Sequence, residues 1–232
     1  MLIEFTSNPG VVAGTAATTQ KNTGATSGVL VGLGLATWME VYTYDGVNLV
    51  LPDMAGTFGI SQDQASWILT TYISSLLFSV PLSIWMANRV GYLRYIIAAT
   101  VVFVLASVGC AAAADFRTFL FLRAIQGFAG AGLTMWWRAG VYILMTGPQR
   151  SESMMRLSVT LYVATAVGLI FCGYVTDNSG WRLIFLPNVL FAVAATRFLV
   201  RYFPDVPHPA DPRANAADKL GILLLGIALV SL

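Results

Sequence analysis

The stretch TFLFLRAIQGFAGAGLTMWWRAG, residues 118–140, decides the fold. About 20 mostly apolar residues cross a bilayer as a helix at ~1.5 Å per residue, and this run has that length and character. Yet it carries Arg123 and Arg138. A charge at the centre of such a run costs about 2.5–3.5 kcal/mol on insertion scales, so it must face a partner or a wet cavity. Arg123, Gly127, Gly130, Thr134 and Arg138 recur at steps of four, three, four and four, which sets them along one stripe of a helix. The stripe joins cations to small residues that let a neighbouring helix approach closely.

Comparable apolar runs lie at 28–51, 67–87, 93–114, 157–176 and 183–203, and another begins at 220. Polar breaks at 52–66, 88–92, 115–117, 146–156 and 177–182 separate them, and links this short make neighbouring helices antiparallel. The chain is 57% hydrophobic and 10% charged, against about 25% charged in ordinary soluble domains. Lipid is therefore the expected solvent, and 232 residues leave no room for a large soluble domain.

The expected organisation is all-α: a flexible cytoplasmic tail over 1–27, a six-helix bundle over 28–203, a linker over 204–219 and the start of a seventh helix over 220–232. Pro204, Pro207, Pro209 and Pro212 prevent a helix from continuing through the linker. The last run would reach only roughly 20 Å of the ~30 Å hydrocarbon core, so the chain is expected to end inside that helix. The tail lacks a basic segment followed by an apolar one, and no secretory signal is expected.

With the N-terminus in the cytoplasm, Lys21, Arg89, Arg94, Arg150, Arg156, Arg201, Arg213 and Lys219 fall on the inner side, against Arg117 and Arg182 outside. This asymmetry is the expected one for an N-terminus-inside, multi-pass protein of the plasma (inner) membrane. Arg197, near the cytoplasmic end of its run, can snorkel.

The first run carries Glu40 and Asp45, and with Arg123 and Arg138 these are the candidate site residues. Asp45 and Arg123 each lie roughly 8–9 Å below the outer surface, which predicts a salt bridge between them. Glu40 lies about 16 Å down, near the bilayer middle, where a carboxyl able to load and release a proton suits a coupled transport cycle. Alternatively Arg123 only pins the first and fourth helices together, Arg138 snorkels to the cytoplasm, and Asp45 is simply hydrated.

RAIQG at 123–127, with Arg123, Gln126 and Gly127, resembles the fourth-helix signature of the major facilitator superfamily. Trp38, Met39, Asn48, Leu51, Pro52, Trp67 and Tyr72 resemble the first and second helices of its fourteen-helix drug:proton antiporter branch. NRVG at 88–91, with Arg94 beyond it, is similar to the gating loop between the second and third helices. GWRLIFLPN at 180–188 resembles the entry to the sixth helix, and Asp218, Leu220 and Gly221 the start of the seventh. The resemblance implies the first half of a transporter, a pore between two six-helix bundles, alternating access, export of amphipathic compounds in exchange for protons, and a gate latched through Asn88, Arg89, Gly91 and Arg94.

Several positions depart from the family pattern. Thr43 stands where the family carries an acid in the first helix, leaving Glu40 and Asp45 displaced. Ile84, Asn88 and Tyr92 replace a Gly, an Asp and a basic residue of the loop signature. The fifth-helix antiporter signature is reduced to Gly168 and Gly173, without its proline and one glycine, which predicts a straighter helix that packs less closely.

Symport or uniport on the same fold, or a non-transporting scaffold, remain alternatives. An intramembrane enzyme is disfavoured: the only histidine is His208 in the linker, and neither HExxH nor GxSxG occurs. No cofactor or metal is expected, and a net charge of +2 does not point to nucleic acid. The expected partners are membrane lipid, a small-molecule substrate, protons and a second six-helix half.

Overall fold

The computed structural model describes residues 9–144 and 148–203. The described residues form helices α1 (Pro9–Leu49), α2 (Leu51–Phe58), α3 (Gln62–Val90), α4 (Tyr92–Ala112), α5 (Phe116–Leu144), α6 (Pro148–Ser179) and α7 (Pro187–Tyr202), with a 3-10 turn at Trp181–Phe185 before α7. No strand occurs among them. The proline-rich linker at 204–219 and the seventh run at 220–232 lie outside the described residues, as do 1–8 of the expected tail.

The apolar runs become helices, and the differences fall at the breaks between them. α1 starts at Pro9 rather than Gly28, because the Ala- and Thr-rich segment ahead of the apolar run holds no internal proline and a formed helix propagates cheaply. The helix thus runs through part of the segment expected as the tail. The break at 52–66 contains α2, which has proline in its first turn and ends on Gly59 in the left-handed conformation (φ 63°). Ser61 then starts α3 with a capping box: its hydroxyl accepts from the Gln64 N–H at 3.2 Å, and the Gln64 side chain accepts from the Ser61 N–H at 3.1 Å. α6 begins at Pro148, inside the expected break at 146–156, since proline fits a first helical turn and nothing after it interrupts the helix.

Four of the described helical segments are long and apolar enough to cross a membrane: Gln62–Val90, Tyr92–Ala112, Gln149–Ser179 and Trp181–Tyr202. α1 and α5 have the length, and they are the helices that carry the candidate charges.

α5 lies against α3, α4 and α1, while α1 also packs on α6 and α7. The α3–α5 contact is held by a ladder of serines one turn apart: Ser75 donates to the Ala124 carbonyl at 2.6 Å and Ser79 to the Phe128 carbonyl at 2.8 Å. Thr37 of α1 is placed between its own-helix Leu33 carbonyl at 3.0 Å and the Leu133 carbonyl of α5 at 3.1 Å. Hydroxyls bonded to backbone carbonyls let helices associate in lipid, where apolar burial supplies no driving force. One end of the bundle is closed by an aromatic cluster in which Phe58, Phe119 and Phe185 surround Trp181, whose indole N–H donates to the Thr57 hydroxyl at 2.9 Å.

Candidate functional site: a buried polar chain across the bundle

Glu40 is 6% exposed and Arg123 0% exposed. The carboxyl of Glu40 accepts two hydroxyl hydrogen bonds, from Tyr72 Oη to Oε1 at 2.9 Å and from Thr134 Oγ1 to Oε2 at 2.8 Å. The stripe on α5 makes room for this: a Cβ added at Gly130 would stand 2.9 Å from Tyr72 Oη and 3.3 Å from Glu40 Cγ. The ring of Tyr72 takes Arg123, whose Cζ lies 4.3 Å from the ring centroid, within the range of a cation–π contact.

Arg123 continues the chain. Its Nη1 donates to Gln126 Oε1 at 2.6 Å, and Gln126 Nε2 donates to Ser107 Oγ of α4, also at 2.6 Å. Asn188 of α7 donates through Nδ2 to the same Ser107 hydroxyl at 3.1 Å and to Thr43 Oγ1 of α1 at 2.8 Å. Both hydroxyls spend their own protons on backbone carbonyls, Ser107 on Phe103 and Thr43 on Met39, which fixes the sense of the amide bonds. One connected chain thus links α1, α3, α4, α5 and α7.

Of the sequence candidates, the structure brings together Glu40, Arg123, Gln126 and the glycine stripe. The predicted Asp45–Arg123 salt bridge is not made: Asp45 is half-buried, and the only ion pair among the described residues is exposed, Arg156 with Glu152 at 2.6 Å. Matching depth on two helices does not bring two side chains onto facing surfaces, and Arg123 turns to Tyr72 and Gln126 instead. Arg138 is exposed beside the Trp137 ring at 5.1 Å, outside the buried chain.

The gating-loop residues sit at the α3–α4 junction, where Gly91 (φ 99°) makes the turn that an L side chain rarely adopts. Asn88 accepts from the Tyr92 hydroxyl at 3.1 Å, while Arg89 and Arg94 are exposed. On α6, Gly168 is closely packed, since a Cβ there would stand 2.7 Å from Tyr42 Cδ2, whereas Gly173 faces open space. α6 is unbroken over its 32 residues, in keeping with the missing proline.

Tyr72, Ser107, Thr134 and Asn188 were not among the sequence candidates for the site. Their signal is weak in a sequence, because neutral polar residues in apolar helices are common and only the three-dimensional neighbour decides which of them meet a charge. A second feature lies apart from the chain: an apolar hollow of about 800 Å³ between α1, α6 and α7, walled by Trp38, Tyr42, Leu161, Phe171, Leu190 and Phe191.

An all-α bundle of long apolar helices, with a carboxyl and a guanidinium sealed between them, is a multi-pass integral membrane protein. The chain belongs to the Major Facilitator Superfamily, whose family model matches residues 33–231. It is 30% identical over 197 residues to the multidrug export protein EmrB of Escherichia coli K12, which covers 85% of this chain and 38% of that protein. It is 31% identical over 164 residues to the fatty acid resistance protein FarB of Neisseria gonorrhoeae, covering 69% of this chain and 32% of that one. The chain therefore spans about a third of the length of these relatives. The fold is similar to that of the human organic anion transporter MFSD10, with a TM-score of 0.63 at 16% identity over 88% of this chain and 53% of that one. It is also similar to the proton:xylose symporter XylE, with a TM-score of 0.60 at 17% identity over 90% of this chain and 52% of that one.

Proposed function

We propose that this chain forms the N-terminal six-helix bundle of a secondary active transporter that exports small amphipathic compounds in exchange for protons by alternating access, with Glu40 as the proton-binding group. The observation that carries the reading is the Glu40 carboxyl, held in the bundle interior by the Tyr72 and Thr134 hydroxyls rather than by a fixed cation. A proton arriving at Glu40 neutralises a buried charge and leaves Arg123 as the unbalanced one. Such a change in charge alters which packing of the bundle is favoured, as alternating access requires. The resemblance to proteins described as multidrug exporters supports export, and the apolar hollow beside Trp38 and Phe191 suits the hydrophobic body of an amphipathic compound. A second six-helix half completes the pore in this reading, with the N-terminus in the cytoplasm, the protein in the inner membrane and no enzymatic step.

The test is Glu40→Gln in a transporter containing this bundle and its partner half, reconstituted in proteoliposomes with a fluorescent hydrophobic dye. Proton-coupled efflux should be lost while membrane insertion is kept. A normal rate with normal pH dependence overturns Glu40 as the coupling acid. Symport is the second reading, favoured by α6, which runs unbroken and holds no proline after Pro148 in its first turn. The same vesicles separate the two, since exchange and co-transport move protons in opposite directions relative to the dye.

A further inference from the structure

We propose that Tyr72 is the positioning residue that couples Glu40 to Arg123: its hydroxyl responds to the protonation state of the carboxyl while its ring holds the guanidinium away from it. The inference rests on the reading of Glu40 as the proton-binding group. Tyr72 is 1% exposed, donates to Glu40 at 2.9 Å and carries Arg123 at 4.3 Å from its ring centroid. Arg123 spends Nη1 on Gln126, while its buried Nε and Nη2 have no hydrogen-bond partner. A guanidinium with unused donors therefore lies near a carboxyl in a low-dielectric interior, where opposite charges attract strongly, and the two form no ion pair. Tyr72 is the side chain that touches both, through its hydroxyl on one and its ring on the other, and in this proposal it keeps them apart.

The ring is held in place from α5. Gly127 brings α5 directly against the Tyr72 backbone carbonyl, and Gly130 leaves the space that the Tyr72 hydroxyl fills. The other ionisable groups nearby are Asp45 on the same helix as Glu40, Tyr44, which stacks on Tyr72 at 5.8 Å, and Cys110 of α4 beside Arg123. α7 contributes the neutral Asn188, and α6 brings Cys172 to Tyr42 rather than to Glu40. When Glu40 is ionised, its bond from Tyr72 is charge-assisted and the ring stays fixed. When Glu40 takes a proton, one hydroxyl must turn to accept it. The hold on Tyr72 then weakens, and Arg123 is released to use its idle donors elsewhere.

Infrared difference spectroscopy on the chain in lipid nanodiscs reads this without transport. The C=O stretch of the protonated carboxyl, assigned by its loss in Glu40→Gln, is titrated with pH. Tyr72→Phe keeps the ring and removes the donor, so Glu40 should take its proton at about tenfold lower proton concentration, one hydrogen bond to a charged group being at stake. Tyr72→Leu removes the ring, so Arg123 should close on Glu40 and protonation should need at least about tenfold more protons. Adding Arg123→Gln to Tyr72→Leu should cancel that second shift. Shifts of the same sign in the two single variants, or no shift in either, overturn the proposal. If Tyr72→Leu does not fold, Tyr72→Phe alone decides, and an unchanged midpoint overturns it. Failure of the underlying reading looks different: Glu40→Gln then transports normally, whatever the spectra of the Tyr72 variants show.

Discussion

Gly127→Ala places a methyl group where α5 and α3 meet. The new Cβ would lie directly against the Tyr72 carbonyl oxygen, with Tyr72 C and Cα at 3.1 and 3.2 Å. These are backbone atoms that no rotamer change can move. Non-bonded carbons settle at ~3.5–4.0 Å, so α3 has to retreat by about 0.5–1 Å along its most extensive contact. That stretches the Ser75–Ala124 and Ser79–Phe128 bonds, now 2.6 and 2.8 Å, and draws Tyr72 from Glu40. Overpacking of this kind costs about 1–3 kcal/mol, less the ~1 kcal/mol that alanine gains over glycine inside a helix. A net loss near ~1 kcal/mol corresponds to roughly 2–4 °C in melting temperature for a chain of this size. The assay is the thermal melt of the purified protein in detergent, followed by circular dichroism beside Gly173→Ala. Because Gly173 faces open space, its alanine variant pays nothing in packing and should melt at or above the wild type. Equal melting temperatures for Gly127→Ala and Gly173→Ala would refute the close approach of α3 to α5.

Asn188→Leu removes the amide that joins α7 to Ser107 and Thr43, and should lower stability by about 1–3 kcal/mol in the same melt; an unchanged melting temperature would mean that the amide bonds contribute nothing net. Trp181→Leu empties the centre of the aromatic cluster and leaves the Thr57 hydroxyl without its donor, which predicts a loss of about 3 kcal/mol. Asp115 caps α5 from the loop, accepting from the Thr118 N–H at 2.8 Å and the Thr118 hydroxyl at 2.7 Å, and chiefly that backbone bond holds its carboxyl below the usual range. The cap's stabilisation is complete above the unfolded carboxylate range and is lost as pH falls through the lowered folded value. The wild type should therefore lose more melting temperature than Asp115→Asn on acidification below about pH 4, and parallel pH dependence in the two would rule the cap out.

The helical runs were legible because lipid imposes a length and a polarity on every span, and those constraints are visible residue by residue. The breaks were not. Residues 52–59 and 148–156 read as parts of breaks, yet proline in a first turn starts a helix in each. At the site, Glu40 and Arg123 stood out because an ionisable residue in an apolar run is rare. Their pairing did not follow, since depth along a helix is one coordinate and azimuth is another. Asp45 matches Arg123 in the first and misses it in the second. Tyr72 and Asn188 carry no charge and stood in the sequence only as two family-like positions among several.

The partners of Glu40 bear on why the acid stands on α1 at this position. A carboxyl paired with a guanidinium or with backbone N–H groups meets donors only, and such a site strongly prefers the ionised form. Tyr72 and Thr134 each present a hydroxyl, which donates to a carboxylate and can turn to accept from a carboxylic acid. Glu40 can therefore be satisfied in both states without moving a helix, and loading a proton requires only that a hydroxyl rotate. Arg123 is the opposite case: a permanent charge with donors only, two of them unused. The groups thus divide by chemistry, with a carboxyl on α1, a permanent cation on α5 and a tyrosine from α3 that bonds the first and stacks on the second. Thr43, where the resemblance led one to expect an acid, accepts from Asn188. At Glu40, one helical turn earlier, α3 and α5 both supply hydroxyls.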